Sequence, residues 1–214
     1  MEGAASVAVR FGIVAAALGV WYGTQKLLGK RPSSGEAPPD LLHRRTARLH
    51  AALVARPRGA DRLLVVSSAL VDALGLYVLA AGLLGPTFRP LVALFAVFSL
   101  RQLCQALVVL PAPQGMIWRD PGFPTLFVTY GTGGDFFFSG HTAIAVLGAL
   151  ELSRAAPPWL AWTAAGVALF EVCVVIVLRS HWTVDVLCGA LAAGAGAVLA
   201  SYLAPTIDAW LGLA

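Results

Sequence analysis

The stretch GDFFFSGHT at residues 134–142 and the stretch RSHWTVD at residues 179–185 each stand where a long apolar run begins. His141 and His181 therefore lie at matching depths near the starts of two apolar segments. A histidine near the edge of hydrocarbon is costly, so it is by default a candidate functional residue. Asp185 follows His181 by four residues, about one helical turn further along. The two stretches predict a functional site between the starts of two helices.

The composition places this site in a membrane. Apolar residues make up 58% of the chain, charged residues only 12%, and the mean hydropathy is +0.79, well outside the range of soluble domains. A membrane helix needs roughly 20 residues to cross about 30 Å of hydrocarbon. We therefore expect an all-α integral membrane protein, a six-transmembrane-helix bundle with spans at 9–28, 63–85, 91–109, 136–153, 158–178 and 182–203.

The only long polar segment follows the first span, at residues 29–62, and contains eight basic and three acidic residues. Leucines and arginines recur in it at helical spacing, which favours a basic amphipathic helix on a membrane surface; a solvated linker is the alternative. His43 and His50 are predicted to be ordinary surface histidines. We divide the chain into residues 1–62, the first span with a basic, partly amphipathic interfacial loop, and residues 63–214, a five-span catalytic core.

Asp72, Arg101 and Glu171 are charged residues well inside the apolar runs. A rise of 1.5 Å per residue places all three roughly 13 Å deep on the same side of the membrane. Charged groups at that depth need partners. An ion pair with Asp72 or Glu171 is therefore one alternative for Arg101.

A second loop, at residues 110–134, is rich in glycine and proline, so no long helix runs through it. Short connections make neighbouring spans antiparallel, which puts this loop on the same membrane face as the starts of the fourth and sixth spans. We expect it to fold over the site as a lid or a gate for lipid entry. Its aromatic residues suit a lipid interface: Trp118, Phe123, Phe127 and Tyr130.

The residue types at the site permit three kinds of chemistry. His181 and Asp185 suit either zinc ligation or an aspartate that orients an imidazole. Ser139 is a weak serine nucleophile candidate, because it lies two residues before His141 and lacks a strand-turn-helix elbow. The third option is a histidine nucleophile paired with a histidine acid. The three cysteines fall inside apolar runs without paired spacing, so we expect no disulfide framework, no metal site and no cofactor.

The two histidine motifs carry a family resemblance. Ser-Gly-His ending at His141, and His181 followed four residues later by Asp185, resemble the second and third motifs of the type 2 phosphatidic acid phosphatase superfamily. Within that superfamily, residues 134–142 are similar to sphingomyelin synthases. The run LPAPQG at residues 110–115 is similar to the plant phosphatidylcholine:diacylglycerol cholinephosphotransferases.

This resemblance implies the roles of three catalytic residues. His181 would attack a lipid phosphodiester to form a phosphohistidine, and Asp185 would fix the tautomer of that imidazole. His141 would protonate the departing diacylglycerol alkoxide and then deprotonate the acceptor alcohol.

The resemblance also implies a set of substrate contacts. Ser139, Gly140, Arg179 and Arg101 would lie around the phosphate, where charge develops. Asp135 would face a cationic head group. Structural roles are the alternatives: a helix cap for Asp135, an anchor at a helix end for Arg179, and the ion pair for Arg101.

Two departures separate the chain from ordinary members of the phosphatase superfamily. Their Lys-x6-Arg-Pro motif does not occur, and Val175 stands where they carry an arginine six residues before the second histidine. The resemblance therefore implies a membrane lipid phosphotransferase that moves a phosphocholine-type or phosphoethanolamine-type head group between a phospholipid and a lipid alcohol such as diacylglycerol or ceramide. The alternatives are a lipid phosphate phosphatase, a catalytically silent lipid-binding protein, and a transporter or channel. No nucleic acid partner is expected.

The distribution of basic residues predicts the orientation in the membrane. The loop at residues 29–62 holds eight basic residues, whereas the loops near Arg89 and Arg154 hold one each, and such a bias directs the basic loop to the cytoplasm. The site should then open to the cytoplasmic face, although the resemblance to sphingomyelin synthases implies the lumenal face. We expect a multi-pass protein of a bacterial inner membrane or an endoplasmic reticulum-type membrane.

Overall fold

The computed structural model describes residues 2–28, 30, 37–128, 130 and 136–212, with side chains from residue 7 onward. Within these ranges the regular structure is entirely helical, which confirms the predicted all-α class for the described part of the chain. Its eight helices are α1 (Glu2–Leu28), α2 (Leu41–Arg45), α3 (Ala47–Val54), α4 (Pro57–Leu84), α5 (Arg89–Leu107), α6 (Gly140–Ala155), α7 (Pro158–Val177) and α8 (Thr183–Trp210).

Five of the described helices, α1, α4, α5, α7 and α8, are long and apolar enough to cross a membrane. The protein is therefore a multi-pass integral membrane protein. The helix α6, at the predicted fourth span, has 16 residues. At 1.5 Å per residue it is about 24 Å long, shorter than the roughly 30 Å of hydrocarbon. The helix α4 begins at Pro57 rather than at residue 63, because proline suits the first helical position.

Close helix packing surrounds α6, which contacts α4, α7 and α8, while α5 packs along α8. A Cβ atom on Gly189 of α8 would lie 2.6 Å from the carbonyl oxygen of Ser139, and one on Gly196 would lie 2.6 Å from Cγ2 of Val97. Only glycine fits at such distances. The small residues of α8 allow this close packing, which sets α8 directly against the start of α6.

The first helix lies at the periphery and is fastened near both of its ends. Near its start, buried Arg10 donates from Nη1 to the carbonyl oxygen of Gly82 at 2.9 Å, at the end of α4. Near its other end, Gln25 Oε1 accepts hydrogen bonds from Gln102 Nε2 at 3.0 Å and Arg101 Nη1 at 3.3 Å. Much of α1 between these two points is exposed on the described surface.

The basic segment folds into the two short helices α2 and α3, which pack against α4, α7 and α8. Its placement on a membrane surface stays a prediction, and the prediction of surface histidines is wrong. His43 and His50 are both buried. Nε2 of His43 contacts the carbonyl oxygen of His181 at 3.0 Å, and Nδ1 of His50 contacts that of Val177 at 2.9 Å. The histidine side of the helix pair faces the bundle, because the carbonyl groups of Val177, at the end of α7, and of His181, just before α8, need donors.

Among the described residues, Arg101 does not form the ion pair with Asp72 or Glu171 that was its structural alternative. Asp72 instead accepts hydrogen bonds from the backbone amides of Leu126 at 2.8 Å and Phe127 at 2.9 Å. Glu171 accepts one from Ser67 Oγ at 2.6 Å. The long loop folds into the bundle and brings its own amides to Asp72, which replaces the arginine that sequence depth alone suggested.

Candidate active site

The two motif histidines lie together at the N-terminal ends of two helices. His141 is the second residue of α6, and His181 lies two residues before α8 begins. Their ring centroids are 6.5 Å apart, and both side chains are buried. Nε2 of His141 has no hydrogen-bond partner among the described residues. A group placed between the rings would therefore meet two imidazoles.

Asp185 faces the Nδ1 edge of His181. Its Oδ2 lies 3.5 Å from His181 Nδ1, longer than an ordinary hydrogen bond, and accepts a hydrogen bond from the backbone amide of Trp182 at 2.9 Å. Asp185 is fully buried at the first turn of α8, where a carboxylate is favourable. Since Nδ1 faces this carboxylate, Nε2 is the nitrogen of His181 left to face a reacting group.

Ser139 and Gly140 form the start of α6. Ser139 Oγ caps the helix by accepting hydrogen bonds from Thr142 N at 3.3 Å and Thr142 Oγ1 at 3.1 Å, and the serine is fully buried. Its backbone amide donates to Asp185 O at 3.1 Å, which joins the two motifs. Ser139 serves here as a cap, and its contact with phosphate stays a prediction. The first amides of α6 have no intrahelical acceptor, so this helix start suits an anion.

The two arginines predicted to contact phosphate occupy different positions. Arg101 lines the cavity beside His141, and its Nε donates to Phe138 O at 2.8 Å. Arg179 has a left-handed backbone with φ of 54°, and its Nη1 donates to the carbonyl oxygen of Gln114 at 2.9 Å. In this structure Arg179 holds the 110–128 loop and does not line the cavity. Asp135 lies outside the described residues.

A cavity of about 50 Å³ lies between the histidines and the long loop. Trp118 covers His141 edge-on, with ring centroids 5.2 Å apart. Trp182 Nε1 donates to Pro111 O at 2.8 Å, which fixes the start of the loop. The described residues of the loop therefore lie over the histidines, and its role as a lid stays a prediction. The described residues that line the cavity are Trp21, Val71, Phe98, Arg101, Trp118, Phe127, Phe136, Gly140, His141, Ile144, Ser180 and His181.

Asp40 and His43, which sequence reasoning did not select, fasten the segment that carries His181. Asp40 accepts hydrogen bonds from Thr183 N and Thr183 Oγ1, both at 2.7 Å, and from His43 N at 3.0 Å. The ring of His43 stacks on Trp182 with centroids 5.4 Å apart. The only available signal was Asp40 as an N-cap before a helical pattern. Nothing in the sequence indicates that its carboxylate reaches α8.

The pKa values of Asp40 and His43 are both lowered. Burial lowers the pKa of His43 and outweighs the attraction of Asp40, so its ring favours the neutral form that donates from Nε2 to the His181 carbonyl. Burial tends to raise the pKa of Asp40, but the hydrogen bonds from Thr183 and His43 outweigh it and hold that pKa below its usual range. Asp40 is therefore ionised and His43 neutral at pH 7.

A comparison with known families bears on this geometry. The family model AtPDCT1/2 matches residues 40–204, well over half of the chain. The chain belongs to the AtPDCT1/2 family. AtPDCT1/2 proteins are phosphatidylcholine:diacylglycerol cholinephosphotransferases, so the match supports the lipid phosphotransferase branch of the sequence resemblance. No curated protein and no solved structure matches the chain.

The AtPDCT1/2 match contains nearly the whole candidate site. It begins at Asp40 and includes both histidines, Arg101 and the loop, so Trp21 on α1 is the one described cavity residue outside it. The described residues contain no cluster of three histidine, cysteine or carboxylate side chains suited to a metal ion. The wider phosphatase superfamily stays a prediction.

Proposed function

We propose that the protein transfers phosphocholine from phosphatidylcholine to diacylglycerol through a phosphohistidine at His181. One observation supports this most strongly: His141 and His181 line one cavity, with Arg101 and the start of α6 in the same wall. Two imidazoles supply a nucleophile and an acid, and the arginine supplies charge for phosphate. Membership of the AtPDCT1/2 family supports the choice of head group and acceptor.

In the first step, Nε2 of His181 attacks the phosphorus of phosphatidylcholine. The nitrogen–phosphorus bond forms while the bond from phosphorus to the glycerol oxygen breaks. Protonated His141 gives its proton to that oxygen, so neutral diacylglycerol leaves and His141 becomes neutral. Asp185 beside Nδ1 stabilises the positive charge that His181 gains.

In the second step, the hydroxyl of an acceptor diacylglycerol gives its proton to His141 and attacks phosphorus. The new oxygen–phosphorus bond forms as the nitrogen–phosphorus bond to His181 breaks. Both histidines return to their starting states, and no net proton is consumed. The reaction exchanges similar phosphodiesters, so it needs no external energy source.

Arg101 and the first amides of α6 are suited to the phosphoryl oxygens in both steps. Gly140 stands at this helix start, and a Cβ atom there would lie 3.4 Å from Nε of Arg101. Glycine therefore keeps the guanidinium and the helix start close together, where both can meet one anion.

The aromatic wall is suited to the choline end of the head group. Trp118, Phe127 and Phe136 line the cavity beside the histidines. A quaternary ammonium binds to aromatic faces through cation–π attraction, worth about 0.5–2 kcal/mol per contact. This wall favours phosphocholine over a smaller, strongly hydrated ammonium head group.

Substrate entry requires the loop to move. A cavity of about 50 Å³ has room for about two water molecules at roughly 30 Å³ each, far less than a phosphocholine group. The loop is held by backbone contacts such as Ile117 N to Leu178 O at 2.8 Å. Opening these contacts would admit the lipid while the two histidines keep their places on α6 and α8.

We further propose that α6 also crosses the membrane, as the fourth of six spans, and that the site faces the cytoplasm. The basic helices α2 and α3 lie at the same end of the bundle as His181, and Arg154 lies in the last turn of α6 at the other end. Single cysteines at Arg44 and Arg154, in a background without the native cysteines, test this in intact cells. Labelling of position 44 by an impermeant thiol reagent, with position 154 protected, contradicts the cytoplasmic assignment.

The activity itself is tested with purified protein, choline-labelled phosphatidylcholine and unlabelled diacylglycerol of a different chain composition. The proposal predicts labelled phosphatidylcholine with the acceptor's chains, unchanged by a chelator. His181→Ala and His141→Ala should each lose this product while remaining folded and monodisperse. Release of free phosphocholine to water with no transfer to any lipid alcohol would instead indicate a hydrolase.

A further inference from the structure

A second cavity, of about 430 Å³, lies between α1 and α5 beside the active-site cavity. Its walls include Val14 and Ala17 from α1 and Leu94 and Phe95 from α5. Among its described lining residues, Ser99 alone carries a hydroxyl group. The volume lies within the roughly 300–1,000 Å³ range of small-molecule sites. The cavity is therefore large enough for a ligand and suited to an apolar one.

The two cavities meet at an aromatic border. Trp21, Phe98 and Phe127 line both of them. The rings of Trp21 and Phe98 meet edge-to-face, with centroids 5.9 Å apart. On one side of this border lie the histidines and Arg101, and on the other side lie apolar side chains. The combined shape is polar at one end and apolar at the other, as a phospholipid is.

The attachment of α1 maintains the gap. Arg10 ties the start of the helix to the carbonyl oxygen of Gly82, and Gln25 ties its end to Arg101 and Gln102. The α1 residues that line the cavity lie between these two attachments, from Val14 to Trp21, along about 10 Å of helix axis. The gap thus runs along α1 and ends near Arg101, in the wall of the active site.

We propose that the cavity between α1 and α5 binds an acyl chain of the glycerolipid whose phosphodiester lies between His141 and His181. This inference rests on the proposed function and adds the part of the lipid that α1 recognises. Lipid tails are as apolar as these walls, so moving a chain here from the bilayer gains little hydrophobic free energy. The bound chain instead aligns the phosphodiester with His181, and the effect appears in the transfer rate.

The first test fills the cavity and compares two substrates in one protein preparation. Ala17→Trp places an indole in the cavity, and Ala15→Trp is the matched control, because Ala15 is exposed on α1 and does not line the cavity. We expect Ala17→Trp to lower the ratio of dioleoyl- to dihexanoyl-phosphatidylcholine turnover at least tenfold, within the roughly hundredfold cost of a misplaced substrate. Ala15→Trp should keep the wild-type ratio. An unchanged ratio in Ala17→Trp overturns the proposal, and partial unfolding lowers both rates without changing their ratio.

The second test needs no turnover, so it separates this inference from the proposed function. Wild-type protein in nanodiscs is photo-crosslinked to phosphatidylcholine with a diazirine within one acyl chain, and adducts are mapped by mass spectrometry. We expect adducts on residues 14–21 and 94–99 in clear excess over Leu191, which faces outward on α8. Such adducts in a protein without transferase activity would support the acyl-chain site and refute the proposed function. Adducts spread evenly over outward-facing positions overturn the inference.

Discussion

The clamp formed by Asp40 gives the sharpest test of how His181 is held. Asp40→Ala removes three hydrogen bonds: two from Thr183 at 2.7 Å and one from His43 N at 3.0 Å. Losing the cap of α2 costs about 1 kcal/mol. Each hydrogen bond to Thr183 contributes about 0.5–1 kcal/mol, the lower part of the usual range, since the carboxylate is only partly buried. The docking of α2 on the start of α8 should weaken by about 2–3 kcal/mol.

That weakening sets an upper limit on the loss of activity. A factor of ten corresponds to about 1.4 kcal/mol, so about 2–3 kcal/mol allows a fall in kcat of roughly 30- to 100-fold if docking alone fixes His181. KM should change little, because Asp40 does not line the cavity. Asp40→Asn keeps an acceptor for Thr183 and should lose less. The assay is the lipid exchange reaction with labelled choline in detergent micelles at pH 7.5.

The matched control is Asp61→Ala, which removes an exposed carboxylate paired with Arg119 at 2.6 Å. An exposed pair contributes about 0–1 kcal/mol, so this variant should keep wild-type kcat. If Asp40→Ala kept wild-type kcat, or raised KM as strongly as it lowered kcat, the clamp would not position His181.

Two further predictions concern the same end of the bundle. The pKa of His43 is lowered on folding, so its stabilising effect is complete above about pH 6.5 and is lost as pH falls through its folded pKa. His43→Gln keeps a hydrogen-bond donor but does not titrate, so its thermal unfolding temperature should change less between pH 7.5 and 5.5 than that of wild type. An equal change in the two proteins would contradict this explanation. Gly189→Ala forces a Cβ to 2.6 Å from Ser139 O and should destabilise the protein by about 1–3 kcal/mol with loss of turnover. The control is Gly194→Ala, whose Cβ has nothing within 4 Å, and it should not lower stability. A thermal melt in detergent measures both.

The sequence predicted the helical elements and the meeting of the two histidines because these depend on local patterns. Apolar runs predict helices, and short connections place the starts of α6 and α8 on one membrane face. The start of α4 was missed, because Pro57 stands in the polar segment. The i, i+4 spacing of His181 and Asp185 likewise fixes their mutual position at one helix start.

The remaining contacts depend on tertiary folding, which hydropathy does not report. Asp72 does not pair with Arg101, because the backbone amides of the long loop donate hydrogen bonds to its carboxylate. His43 was assigned to the surface because an amphipathic pattern does not indicate which face packs on the bundle. The left-handed backbone of Arg179, unusual outside glycine, directs that residue to the loop, and nothing in its sequence context signals it.

The central claim is that His181 carries the phosphocholine group between two lipids. The direct measurement is to mix the purified protein with choline-labelled phosphatidylcholine without added acceptor, quench in alkali, which preserves phosphohistidine, and locate the label by mass spectrometry. The account predicts phosphocholine on His181, its discharge to labelled phosphatidylcholine when diacylglycerol is added, and no adduct in His181→Ala. Wild-type transfer by His181→Ala, or label on any residue other than His181, would contradict it.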